Sequence, residues 1–415
     1  MKHFETLFLE ALCASLENRK LTWDFDLPED DWQSIFALAQ THKVLPLVFD
    51  AVSVCPAIKR VDPQLLQRTR LQSVAMMIQQ AQKTSEFLNI YSQFASQGIK
   101  PLVVKGLVCR ELYPKPDLRI SSDEDILVSA EQFEESVKIL QECGLQANVL
   151  QADVENADEI GFVAVNGSSY IELHKSLFAR TSEAYGELNH YFVDCFEKSV
   201  PLCVQGREIR TLEPGMHLFY LICHAFKHFL HSGFGIRQVC DMVMFANTYG
   251  KDLDWQTLLI QCREIRADKF AAAIFKIGKN YLTFDWERAG YPKEWQEIEI
   301  EEEELLMDLL QSGIYGGSTM SRKHSAHITL ETVSSKKTGK KSGNALLVAV
   351  FPPAKTLEGR YPYLKKRPYF LPIAWMSRLL RYQKEMKLME HNTAAEALRI
   401  GNERTQLLKK YGIIE

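Results

Sequence analysis

The stretch RISSDEDILVSA, residues 119–130, sets three neighbouring carboxylates, Asp123, Glu124 and Asp125, directly before the apolar run Ile126-Leu127-Val128. Adjacent carboxylates repel one another, and the apolar run calls for burial. Either an ordinary polar turn leads into a strand, or the acids hold something positive. Alternate residues of a strand project to one face, so Asp123 and Asp125 share a side while Ile126 and Val128 turn to the other. The acid pair alone is well described as a solvated loop, so the flanking sequence has to decide.

Upstream, IKPLVVKG (99–106) is a short apolar run closed by Gly106. GLVCRELYP then reads as a short helix stopped by Pro114 and Pro116. A glycine that opens a helix after a strand lets a phosphate approach the backbone amides, where the helix N-terminus favours negative charge. Lys105 and Arg119 stand close to this corner as candidate phosphate contacts. Downstream, EQFEESVKILQECG reads as a helix with Phe133, Val137 and Leu140 on one face and Gly144 at its end. FVAV-NG-SSYIELH (162–174) reads as two strands joined by the two-residue turn Asn166-Gly167, because both turn positions tolerate positive φ.

On the second strand of that hairpin Glu172 shares a face with Tyr170 and His174. If this strand lies beside 125–128, Glu172 joins Asp123 and Asp125 around one point. Three clustered carboxylates are costly without a divalent cation, and hard oxygen donors suit Mg²⁺ or Mn²⁺. His174 is read as a hydrogen-bonded structural histidine at the strand end.

The flanks are helical. Phe4, Leu7, Phe8, Leu12 and Leu16 recur at helical steps, WQSIFALAQTHKVLPLVFDAV carries a second stripe, and 66–98 a third that ends at Gly98. From Pro214 onward the helical period returns in GMHLFYLICHAFKHFLHS and the segments that follow it. The fold class is therefore α+β: a small mixed β-sheet core between predominantly helical N- and C-terminal regions. The expected divisions are 1–98 helical, 99–213 the α/β core, 214–315 a helical domain closing a cleft, 316–343 a polar basic linker, and 344–415 a basic aromatic and helical region. A chain of 415 residues is long enough for such a division.

A hydrophobic fraction of 46%, a charged fraction of 25% and a net charge of -4 are those of a globular chain and exclude a uniformly basic coat protein. Nine cysteines with no CxxC pair read as reduced, mostly buried thiols. The first twenty residues lack a secretory apolar core, and no apolar run is long enough to span a bilayer. The expected location is cytoplasmic. Residues 320–390 carry fifteen basic side chains against four acidic ones. This region either attracts an anionic partner or pairs with the acidic stretch at 294–304.

At VVKG (103–106), DEDILV (123–128) and YIELH (170–174) the sequence resembles the polymerase-β-like nucleotidyltransferases. Their pattern is a small-residue turn opening a helix, an Asp-x-Asp strand and a third acid on a later strand. The wider text is similar to one bacterial branch, a largely uncharacterised nucleotidyltransferase family with a Lys-Gly turn. That likeness runs through LPLVFDAV, KGLVCRELYP, IELHKSLF, HLFYLICHAFKHF, IRQVCDMVMFA and FPPAKTLEGRYPYLKKRPYFLP. The resemblance implies a Mg²⁺-dependent enzyme that moves a nucleoside monophosphate from an NTP to an acceptor: a small molecule, an RNA or a protein. It also implies that Asp123 and Asp125 hold two metals, with Glu172 completing the site. The chain departs from the pattern in having Lys105 before Gly106, and in having Glu124 where an apolar residue is usual. Glu124 has to point away from the metals, toward whatever covers the back of the sheet.

Two rivals come from other classes. A catalytically weakened module would bind a nucleotide or nucleic acid without turning it over, with Glu124 and the basic tail as its support. A helical metal-dependent hydrolase would centre on His224, His228 and Asp241, since residues four apart on a helix share a face. The HAFKH motif lacks the glutamate of a metalloprotease.

Overall fold

The computed structural model describes residues 1–148, 157–231 except 166 and 168, 233–312, 351, 353–357, 361, 363–386 and 394–414. Three helices open the chain: α1 (His3–Leu16), α2 (Glu29–Thr41) and α3 (Leu45–Val52). A long helix, α4 (Pro63–Ser96), follows. It starts three residues before the expected stripe, because Pro63 has a preset φ and the Asp62 carboxylate accepts the Leu65 N–H at 2.9 Å. Gly98, at φ +76°, ends it as read from the sequence.

The core then runs β1 (Leu102–Val104), α5 (Gly106–Arg110), β2 (Glu124–Leu127), α6 (Phe133–Glu142), β3 (Leu145–Ala147), β4 (Glu159–Ala164) and β5 (Tyr170–His174). A second hairpin, β6 (Val200–Val204) and β7 (Arg207–Thr211), completes a seven-stranded mixed sheet of order β3-β4-β5-β2-β1-β7-β6. The hairpin of β4 and β5 forms as its turn signal requires, with Gly167 at φ +70°, while Asn166 lies outside the described residues. The β6–β7 hairpin was not foreseen. Its turn is Gln205-Gly206, both at positive φ, a weaker signal than Asn-Gly.

Two registers build the centre. β1 and β2 are antiparallel, with Val104 opposite Asp125. β2 and β5 are parallel, with Asp125 opposite Glu172. The back of the sheet carries Val103, Ile126, Ile171 and Leu173, packed on Phe87, Tyr91 and Phe94 of α4 and Phe133, Val137 and Leu140 of α6. The front carries Leu102, Val104 and Leu127, which join the apolar cluster of the helical flanks.

The helices after the sheet are α7 (Pro214–Leu230), α8 (Ile236–Tyr249), α9 (Trp255–Glu264), α10 (Asp268–Tyr281), α11 (Lys293–Gln296) and α12 (Glu303–Ser312). Helices Leu371–Met386 and Ala394–Lys410 follow among the described C-terminal residues. Buried side chains of α1–α3, α7–α10 and α12 form one continuous cluster with Leu407, Leu408, Tyr411, Ile413 and Ile414. No helix of the described residues is long and apolar enough to cross a membrane. None of the nine cysteines is in a disulfide. The linker at 316–343, and most of the basic residues at 320–390, lie outside the described residues. The acidic stretch finds a cation elsewhere: Lys410 meets Glu301 and Glu304, each at 2.8 Å.

Candidate functional site

A cleft of about 640 Å³ lies between the front of the central strands and helices α7 and α8. Because β2 and β5 are in parallel register at Asp125 and Glu172, the front-face side chains of both strands converge on its floor. Ligand atoms of Asp125, Glu172 and His174 all fall within 4.8 Å of one another. The His174 imidazole Nε2 is 3.2 Å from Asp125 Oδ1 and 3.7 Å from Glu172 Oε2, and its Nδ1 is 3.6 Å from Glu159 Oε2. Asp123 lines the same cleft one residue before β2 begins. It stands outside this tight group, so the structure brings together two of the three expected carboxylates and adds His174.

Burial would push the Asp125 carboxyl up, but Lys105 and His174 outweigh it and hold the group well below the usual carboxylate range. The Lys105 ammonium sits 2.8 Å from Asp125 Oδ1. Burial works against the ammonium too, and Asp125 again wins, raising the lysine above its ordinary value. Glu172 goes the other way. Burial first and the Asp125 charge second push it up to about 8. One carboxylate of the facing pair is thus held ionised while the other keeps its proton near neutrality, as like charges at close range require.

The donor set fits a divalent cation. The buried Oδ2 of Asp125 has no hydrogen-bond partner, and an orphaned carboxylate oxygen in such a cluster leaves a place for positive charge. Asp125, Glu172 and His174 would hold the ion, with Asp123 at the rim of the same cleft.

The turn at Lys105-Gly106 is held from both sides. Lys105 adopts φ +54°, a region costly for a residue with a side chain. Its backbone N–H donates to His217 Nε2 at 3.2 Å. His217 Nδ1–H then donates to Thr211 Oγ1 at 3.2 Å, and the Thr211 hydroxyl donates to Val103 O at 2.7 Å. Burial depresses His217 to about 3, so it stays neutral and in that tautomer.

Beneath the turn lies Glu124, at the back of the sheet as its position between the aspartates demanded. It accepts the Leu107 N–H at 2.8 Å and pairs with Arg110. Arg110 also donates to Thr84 Oγ1 at 2.8 Å and Ser121 Oγ at 2.6 Å. A Cβ on residue 106 would come within 2.2 Å of Glu124 Oε2. Gly106 therefore has a packing reason of its own, and one of the amides that the sequence reading offered to phosphate is already taken by Glu124.

Arg119 reaches the cleft wall, but its guanidinium is buried. It clasps both oxygens of Asp241 at 3.0 and 2.6 Å and donates to Ser121 Oγ at 2.7 Å. Tyr113 donates to the same Asp241 at 2.8 Å. With its oxygens so engaged, Asp241 does not combine with His224 and His228 as a ligand set. The His224 and His228 Nε2 atoms are 3.2 Å apart, and His224 Nε2 is 3.2 Å from Lys105 Nζ. Burial, then Lys105 in the case of His224 and Lys227 in that of His228, keeps both rings neutral. Among the described residues, the group at Asp125 is the one triad of metal-ligating side chains.

Four charged residues near the cleft were missed or underweighted in the sequence: Glu159, Lys227, Arg237 and Lys43. Lys227 and Arg237 line the cleft, and burial lowers both from their ordinary values. Arg237 Nε has no hydrogen-bond partner. Lys43 reaches Ser122 from the loop after α2. Lys227 sits inside the HAFKH motif and could have been found there. No local signal marks Lys43, some eighty residues upstream of the acids.

No curated protein and no solved structure matches the chain. A family model described as an uncharacterised nucleotidyltransferase does match, over residues 28–283. That span contains the whole sheet and cleft and more than half of the sequence, so the chain belongs to this family of uncharacterised nucleotidyltransferases.

Proposed function

We propose that the chain transfers a nucleoside monophosphate from an NTP to an acceptor hydroxyl, with pyrophosphate leaving, and that it needs Mg²⁺ or Mn²⁺. The observation that carries this reading is the parallel register of Asp125 against Glu172, which puts two carboxylates at the floor of a cleft lined by cations. Asp123, Asp125 and Glu172 are the proposed catalytic and metal-binding carboxylates, and Lys105 and Gly106 remain the proposed nucleotide contacts; Arg119, engaged by Asp241 and Ser121, instead braces the cleft wall. When bound, a divalent ion supplies charge neutralisation for the reacting phosphoryl group.

The side chains divide the remaining tasks. Asp125, ionised by its pairing with Lys105, offers fixed negative charge. Glu172, pushed up to about 8 by burial and the Asp125 charge, is the carboxyl of the pair suited to receive the acceptor hydroxyl's proton once it is ionised. Lys227 and Arg237, half-buried on the opposite wall, suit the phosphate tail of the donor. Orientation and electrostatics carry such a reaction, which asks little covalent chemistry of the protein. The same reading assigns the chain to the bacterial branch with the Lys-Gly turn and to the cytoplasm, in keeping with its unpaired cysteines. The domain divisions at 1–98, 99–213, 214–315, 316–343 and 344–415 are part of the proposal, as are the acceptor and any anionic partner of 320–390.

The test is isothermal titration of each NTP, with and without Mg²⁺, on the wild type and on Asp123→Asn/Asp125→Asn. It is joined to an assay for transfer of an α-phosphate label. Metal-dependent NTP binding that the double variant loses supports the reading and names the donor base. A folded wild type that binds no NTP would sink it.

A further inference from the structure

The group at the cleft floor has a nitrogen in it, and the nitrogen is the part the sequence reading set aside. His174 is 4% exposed, at the end of β5. Its Nε2 lies on the same side as Asp125 Oδ1 and Glu172 Oε2, inside the 4.8 Å group. Its other nitrogen, Nδ1, is buried and has no hydrogen-bond partner, while the Glu159 carboxylate stands 3.6 Å away across the neighbouring strand. The two residues are register partners on β4 and β5, so the pairing of the strands holds them together.

A ligating histidine usually binds through one nitrogen and donates the other N–H to a carboxylate, which fixes the tautomer and raises the ring's basicity. Carboxylate, imidazole and metal-facing carboxylates stand here in that order: Glu159, His174, then Asp125 with Glu172. The Asp125 carboxylate also keeps one oxygen, Oδ2, buried and without a hydrogen-bond partner.

We propose that His174 is a direct metal ligand, oriented by Glu159, and that the site therefore selects a first-row transition ion, Mn²⁺, over Mg²⁺. The proposal rests on the nucleotidyltransferase reading and deepens it by naming the ion. Mg²⁺ prefers oxygen donors in near-ideal octahedra and keeps its waters, so an imidazole in a buried site is a poor partner for it. Mn²⁺ suits the hard oxygens of two carboxylates and a phosphate as Mg²⁺ does, and as a transition ion it forms a stronger bond than Mg²⁺ to an imidazole nitrogen. In the metal-free protein Nε2 faces Asp125. With an ion held through Nε2, the ring's N–H would be the one at Nδ1, facing Glu159.

The test uses the metal alone on the full chain, without nucleotide. Mn²⁺ binding is followed by electron paramagnetic resonance, Mg²⁺ is added as competitor, and pulsed spectra are searched for ¹⁴N modulation from a coordinated imidazole. The expected result is one tightly held Mn²⁺ per chain with imidazole modulation, and Mg²⁺ weaker by about tenfold or more. His174→Gln should abolish the modulation and bring the two ions to within about twofold of each other, whereas Glu159→Gln should keep the modulation and weaken Mn²⁺ about tenfold. The wild-type spectrum needs no variant, so a variant that fails to fold does not shelter the idea. Bound Mn²⁺ without ¹⁴N modulation overturns the proposal and leaves the carboxylate site standing. If no Mn²⁺ binds at all, the proposal is overturned too, and α-phosphate transfer with Mg²⁺ then decides separately whether the transferase reading survives.

Discussion

At the scale of single residues the site is organised by one buried ion pair. Lys105 and Asp125 meet at 2.8 Å with the aspartate 1% exposed, and removing one partner of such a pair strands the other charge. Asp125→Asn should therefore lower stability by roughly 3 kcal/mol in chemical denaturation. The Asp125→Asn/Lys105→Met double variant should recover much of that loss. Turnover behaves differently. Asp125→Asn should cost roughly 10²–10³-fold, as loss of a preorganised charge does, and the double variant should not restore it. Equal recovery of both quantities would mean that Asp125 acts only through folding. The Asp-x-Asp spacing and the strand acid Glu172 were readable because alternation along a strand is a local rule. Glu159 and Lys43 were not, since neither stands in any pattern with the acids until β4 pairs with β5 and the loop after α2 folds over Ser122.

At the scale of elements, the turn between β1 and α5 is clamped from below by Glu124 and from above by His217. The unusual residue between the aspartates is thus accounted for by packing, which removes one of the two supports of the weakened-module reading. A Cβ on Gly106 would need space that Glu124 Oε2 fills. Gly106→Ala should cost about 2 kcal/mol, in the range for overpacking, and distinctly less in a Glu124→Ala background. A double-mutant cycle by urea denaturation measures the coupling, and additive costs would refute the clash. The two hairpins show the same physics at different signal strength. Asn166-Gly167 announced itself, whereas Gln205-Gly206 adopts positive φ at both positions in a sequence with weaker turn preference.

At the scale of the whole molecule, buried neutral histidines join distant segments. His42 Nε2–H donates to Leu310 O at 3.2 Å and its Nδ1 accepts the Ile236 N–H at 3.3 Å, so it ties the end of α2 to α8 and α12. Burial depresses His42 to about 4 and His217 to about 3, against 6.5 for the unfolded chain. The unfolded state therefore takes up protons first as pH falls. Their contribution to stability is complete above about pH 6.5 and declines below it by roughly 1.4 kcal/mol per pH unit for each residue, about 4 kcal/mol for the pair by pH 5. Urea midpoints measured between pH 7 and 5 test this, and a flat profile would contradict it. The C-terminal helix closes the same body. Arg404 donates to the Phe229 and His231 carbonyls at the end of α7, beside the cleft's histidines. Arg404→Met should lower the thermal midpoint, at a cost of roughly 2 kcal/mol for carbonyls left unsatisfied. An unchanged midpoint would show that water replaces the guanidinium.

What could be read along the chain was whatever depends on near neighbours. The helical stripes, the glycine stops at Gly98 and Gly144, the Asn-Gly hairpin and the sidedness of Asp125 against Ile126 all follow from backbone geometry within a few residues. The mixed sheet between helical flanks followed from their order. The tertiary structure alone decided that β5 lies parallel to β2 with Glu172 opposite Asp125, that His174 turns its Nε2 into the same space, and that Arg119 is spent on Asp241. Those outcomes depend on which strand edges meet and how buried charge is balanced, and both are settled by packing between segments far apart in the chain.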